Sequence, residues 1–151
     1  MLNKIKMEFQ VVYENAIYVV LANPTTPQQQ GNPEFQIQIG QRNEFVNQWM
    51  NANRYQSLAI ITACNPKGMR MDDSENQKGM NLLKEQLEQR KLPYLAAFGR
   101  NCEGTWREES YCIMNISMEQ SLELAHLHLQ NAFVWLKPNS EPELIWPEDS
   151  Q

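Results

Sequence analysis

Leu58-Ala-Ile-Ile61 is the tightest constraint on how this chain can fold. It is an apolar run without a polar break, inside a stretch from Ser57 to Ala63. So short and unalternating a run reads as a strand buried on both faces. It ends abruptly in Asn65-Pro66-Lys67-Gly68, which fits a type I turn with Asn first, Pro second and Gly fourth. Ser74-Glu-Asn-Gln77 then carries the spacing of a capping box and opens a helix to about Lys91. A strand that runs through a polar turn into a helix N-terminus is a common way to build a site, because free backbone N–H groups gather there.

The remaining elements follow from periodicity and punctuation. Leu2, Ile5, Phe9 and Val12 fall near one helical face, and Ala16–Leu21 is a β-branched and aromatic strand. Asn23 to Pro33, with three prolines and three consecutive glutamines, reads as an exposed loop without a role. Phe35–Ile39 alternates as a strand with one wet face, and Asn43 caps a helix burying Phe45, Val46, Trp49 and Met50. Past Pro93 come a strand at Tyr94–Phe98, a turn at Gly99–Thr105 and a longer strand at Trp106–Ile116. Ser117 starts a helix to about Leu129, Ala132–Leu136 is a strand, and Glu143–Trp146 is an edge strand.

From residue 57 the order is strand, helix, strand, strand, helix, strand, the split βαβ or ferredoxin-like order. The expected class is α+β: one domain over 1–151, mainly an antiparallel sheet with helices packed on it. Its core is 57–136, residues 1–56 add an N-terminal hairpin and helix, and 147–151 is a frayed tail. A sheet covered on one side is the first expectation and a three-layer arrangement the second.

Composition narrows the function classes. No apolar run approaches the roughly 20 residues of a membrane span, and Met1–Glu8 lacks the apolar region of a signal peptide. Three widely spaced cysteines suit reduced thiols in a cytoplasmic protein. A net charge of −5 with scattered Lys and Arg argues against extended nucleic-acid binding. His126 and His128 diverge on their helix and cannot share a metal, so no metal and no cofactor is expected. Cys64 reads first as a small buried apolar residue rather than a nucleophile.

In a ferredoxin-like sheet the first strand lies between the third and fourth. Its C-terminal end would then neighbour the starts of the strands at Trp106 and Ala132. Thr62, Asn65, Asn76, Trp106, Glu108, Glu109, Gln130 and Asn131 thereby gather on one rim. Asn76 shares a stripe with Met80, Leu83 and Leu87 and so faces inward; Gly79 allows that helix close to the sheet. Glu108 and Glu109 point to opposite faces, so one at most serves as a general base or acceptor. Which of them faces the helices stays open.

Ile61-Thr-Ala-Cys-Asn-Pro66 with Ser74-Glu-Asn76, then Trp106-Arg-Glu-Glu-Ser110 and Gln130-Asn-Ala132, resemble a bacterial family catalogued as domain of unknown function 3293. The resemblance runs from the Tyr18 strand through Leu144 and implies no mechanism. The leading functional expectation is a small polar ligand held at the rim, with Asn65 and Asn76 orienting it, Glu108 or Glu109 accepting a proton or hydrogen bond, and Gln130 and Asn131 completing the wall. The competing expectation is a non-catalytic interaction or regulatory module, a homo-oligomer pairing through Glu143–Trp146.

Overall fold

The computed structural model describes residues 2–22 and 33–150. The expected loop at 23–32 lies outside the described residues, and Pro33 already belongs to a strand. Four helices are present among the described residues: α1 (Leu2–Asn15), α2 (Glu44–Asn53), α3 (Asp73–Gln89) and α4 (Met118–Leu127). Seven strands form one sheet: β1 (Ile17–Leu21), β2 (Pro33–Ile37), β3 (Leu58–Ile61), β4 (Tyr94–Arg100), β5 (Arg107–Met114), β6 (Phe133–Leu136) and β7 (Glu143–Ile145). Pro66–Gly68 and Pro147–Ser150 are short 3-10 turns.

The sheet order is β2-β1-β4-β5-β3-β6-β7, and every neighbouring pair is antiparallel. β3 lies between β5 and β6, with Ile61 opposite Tyr111 and Ile60 opposite Val134. Its C-terminal end therefore meets the beginning of β6 and the middle of β5, whose first residues run on past it. All four β3 residues are buried, in keeping with the uninterrupted apolar run.

The two faces of β3 feed two cores. Ala59 and Ile61 pack with Met80, Leu83 and Leu87 of α3 and with Leu124 and Ala125 of α4. Leu58 and Ile60 pack with Cys112, Met114, Val46 and Met50, so α2 covers the opposite face. Helices on one side of the sheet, the first expectation, is therefore corrected to helices on both. The physical reason is that β1, β5 and β6 also present apolar side chains on the α2 face, and that face must be shielded from water.

Local chemistry departs from the sequence reading in three places. Asp72, not Ser74, caps α3, its carboxylate accepting from the Glu75 N–H at 2.8 Å. Phe45 is 55% exposed, whereas Val46 and Met50 form the buried seam of α2, joined by Asn47, whose Oδ1 accepts from the Asn139 N–H at 3.1 Å. The Gly68 N–H does donate to the Asn65 carbonyl at 2.8 Å, but Lys67 sits at φ 58°, which a type I turn does not contain. Asn43 and Ser117 cap α2 and α4 as their positions predict, accepting from the Val46 N–H at 3.1 Å and the Gln120 N–H at 3.0 Å.

Candidate functional site

The turn after β3 is fixed by two asparagines. Asn65 adopts the left-handed region at φ 48°, which Asn tolerates better than most residues. Its backbone N–H donates to Asn76 Oδ1 at 2.9 Å, and Asn76 Nδ2 returns a bond to Asn65 Oδ1 at 3.0 Å. The same Asn65 Oδ1 accepts from the Met71 N–H at 2.9 Å, so both ends of the loop are tied together. Asn65 Nδ2 is left pointing outward and donates to Glu108 Oε2 at 2.9 Å. An amide relay thus links α3 through the turn to the start of β5.

Close approach of α3 makes this relay possible. A Cβ at Gly79 would come within 2.9 Å of the Ala63 carbonyl oxygen, so the helix lies against the chain just past β3. Its N-terminus, however, offers little to an outside anion. The Asp72 carboxylate occupies it, and Asp73 and Glu75 add negative charge to the first turn.

The strand alternation separates the two glutamates. Glu109 lies on the α3/α4 face, is exposed, and pairs with Arg107 at 2.6 Å. Glu108 lies on the other face, partly buried, and its carboxylate accepts from Asn65 Nδ2. Burial raises the Glu108 carboxyl above the ordinary carboxylate value, and the Asn65 bond offsets only part of that shift. Glu108 also lines three cavities at this end of the sheet. One is a cleft of about 460 Å³ reaching Asn76 and Glu109; another, about 450 Å³, opens toward α1 and Trp106; the third is an inner space of about 40 Å³ bounded by Thr62 and Gln130.

Aromatic side chains surround Glu108 on the α1 side. Its register partner on β4 is Gly99. A Cβ there would lie 3.3 Å from the Tyr18 ring and 3.4 Å from the Trp106 ring, so those rings lean over the bare glycine beside the carboxyl. Tyr13, from α1, lines the same inner and outer cavities. The Tyr18 hydroxyl donates to the Tyr13 carbonyl at 2.8 Å and holds the helix end in place. Both phenols are pushed up, mainly by burial and further by the Glu108 charge.

The other sequence candidates divide. Thr62 Oγ1 donates to the Glu109 carbonyl at 2.6 Å and accepts from the Cys64 N–H at 2.9 Å. Gln130 Nε2 donates to the Cys64 and His128 carbonyls at 3.0 and 3.1 Å. These two tie loops together while bordering the inner space. Asn131 stands beside the Tyr13 phenol and favours its ionised form, yet its Nδ2 has no acceptor. The Trp106 N–H donates to Asn101 Oδ1 at 3.1 Å, fixing the start of β5. The Cys64 thiol is buried and raised, mainly by desolvation, which keeps it from acting as a thiolate nucleophile.

Tyr13 and Tyr18 were missed as site residues. Tyr13 follows Phe9 by one helical turn, so the N-terminal stripe held the signal. Among the described residues, no group of three or more His, Cys, Asp or Glu could hold a metal ion, and no helix is long and apolar enough to cross a membrane.

Fold and site together define an α+β protein with a carboxyl-floored cleft at one end of an antiparallel sheet. Residues 61–133 match the model of the family described as "Protein of unknown function (DUF3293)". The matched segment contains Asn65, Asn76, Trp106, Glu108, Gln130 and Asn131. No curated protein and no solved structure matches the chain.

Proposed function

We propose that the Glu108 cleft binds a small polar molecule, with Glu108 as the hydrogen-bond acceptor or proton-carrying group. The observation that carries this reading is a partly buried carboxyl with a raised proton affinity, bordering three cavities and held by a neutral amide. Perturbed carboxyls in clefts cluster at functional sites, because a group with spare acceptor capacity there awaits a partner. Asn65 and Asn76 act behind it. They fix the loop and aim one amide N–H at the carboxyl. Glu109 is the weaker candidate, since its carboxylate is exposed and already paired with Arg107.

Two finer readings accompany this proposal. The central order β4-β5-β3-β6 supports a ferredoxin-like core over 57–136. The free thiols of Cys64, Cys102 and Cys112 fit a cytoplasmic setting. A homo-oligomer formed through β7 has less behind it: β7 ends the sheet, but it offers an edge of three residues.

The test is a thermal-shift screen of polar metabolites on the parent and on Glu108→Gln in parallel. A ligand at about a hundredfold its Kd stabilises the native state by roughly 2.7 kcal/mol. The expected hit stabilises the parent and loses most of that effect in E108Q. Equal stabilisation of both proteins by every hit overturns the reading. Asn76→Ala is a poor substitute, because it removes the bonds to Asn65 that shape the loop.

A further inference from the structure

The residues around Glu108 point to the class of ligand, an inference that rests on the reading just given. We propose that the cleft takes an organic ammonium: a protonated amine carried on an aromatic or other apolar group.

Charge bookkeeping around the α1-side cleft leaves one charge unmatched. Arg107 also lines this cleft, but its guanidinium pairs with Glu109 at 2.6 Å and lies 3.7 Å over the Phe98 ring, so its charge is already engaged. Arg70 and Asp73, both lining the cleft, offset each other in sign. Glu108 remains, with the uncharged Asn65 amide as partner. A partly buried carboxylate without a counter-charge is costly, and a bound cation would relieve that cost.

The surroundings suit an ammonium better than a metal ion or an anion. Metal sites need several converging ligands, and no group of three or more His, Cys, Asp or Glu that could hold a metal is found among the described residues. An anion would meet the Glu108 charge and an α3 N-terminus already filled by Asp72, Asp73 and Glu75. An ammonium, in contrast, can donate to the free Glu108 oxygen while lying against aromatic faces, which attract cations through their ring quadrupoles. Trp106 and Tyr13 line the same cleft as the carboxyl. Among its mixed polar and apolar lining, Phe9, Val12 and Met71 offer apolar surface, with Val12 46% and Met71 39% exposed. Those three side chains would lose water contact against the hydrocarbon part of such a ligand.

The test uses three probes at matched ionic strength, titrated by calorimetry into the intact chain: 2-phenylethylammonium chloride, 2-phenylethanol and xylitol. The ammonium should bind at least about tenfold more tightly than the alcohol, the usual gain from a charge-assisted hydrogen bond. Glu108→Gln should erase that preference. The parent's ammonium-to-alcohol ratio decides the matter even if the variant proves unstable. Equal binding of ammonium and alcohol, or an ammonium preference that survives in E108Q, overturns the proposal. Glu108-dependent binding of xylitol with no ammonium preference overturns the ligand class but preserves the cleft as a polar-molecule site. Binding of none of the three overturns the ammonium proposal, and the metabolite screen then decides the broader reading on its own.

Discussion

Glu108 sits where stability and binding want different things. Its carboxyl is raised by burial, so the native state holds its proton to higher pH than the unfolded chain does. Between the ordinary carboxylate value and the raised one, the native state binds more protons than the unfolded state. Stability therefore falls as pH rises through that window. Glu108→Gln removes the titration and keeps an oxygen for the Asn65 amide. The variant should be the more stable protein at pH 7.5, by a gain on the order of 1 kcal/mol, as is usual when a functional site is relieved. That advantage should shrink toward pH 4, and urea denaturation of both proteins at the two pH values measures it. A variant less stable than the parent at pH 7.5 would mean that the charge is compensated by something other than Asn65. The sequence placed Asn65, Asn76 and Glu108 on one rim, because strand order alone carries residues that far. It left Glu108 and Glu109 unresolved, since alternation separates the faces but does not say what covers each one.

At the scale of elements, α3 determines whether the rim exists. Gly79 lets it lie against Ala63, and Asn76 stands one turn earlier on the same inward side. Gly79→Ala sets two effects against each other. Alanine favours the helix by about 1 kcal/mol, but its Cβ would come 2.9 Å from a backbone oxygen that cannot rotate away. Overpacking of this kind costs about 1–3 kcal/mol, so the variant should be destabilised by up to about 2 kcal/mol. It should also lose Glu108-dependent ligand binding, because α3 must shift and carry Asn76 from Asn65. A gain in stability on thermal denaturation would show that the helix has slack. Helices and strands were legible wherever periodicity was strong, and Asn43 and Ser117 emerged as caps from position alone. The cap of α3 was not: Asp72 and Ser74 are both good caps, and the choice depends on how the Asn65 loop meets the helix, a tertiary matter. Phe45 was misplaced for a similar reason. The buried seam of α2 runs through Val46 and Met50, and a pairing between Asn47 and the distant Asn139 turns Asn47 inward in place of Phe45.

Across the whole molecule, burial is uneven in a way that bears on access to the site. β3 and β5 lie at the centre of the sheet, and Ile61 and Ile113 are fully buried between the two layers. α1 contrasts with them. Met7 and Val11 are 76% and 65% exposed, and it is held through Phe9 near Gly68, the Tyr13–Trp146 ring contact and the Tyr18 hydroxyl bond. Met7 and Val11 gain little from docking, and an isolated helix of this length is marginal in water. It should therefore open in local events well below the global unfolding free energy. Amide exchange should be fastest in α1 and slowest in β3 and β5, with rates differing by at least about a hundredfold. Because Phe9, Val12 and Tyr13 border the Glu108 cleft, a ligand seated there must draw on α1 and slow its exchange specifically. Protection of α1 as strong as that of β3 would mean that the helix is part of the cooperative core and that ligands reach Glu108 only from the Asn76 side. Fast exchange in α1 that does not change on ligand binding would place the ligand outside the space beneath it.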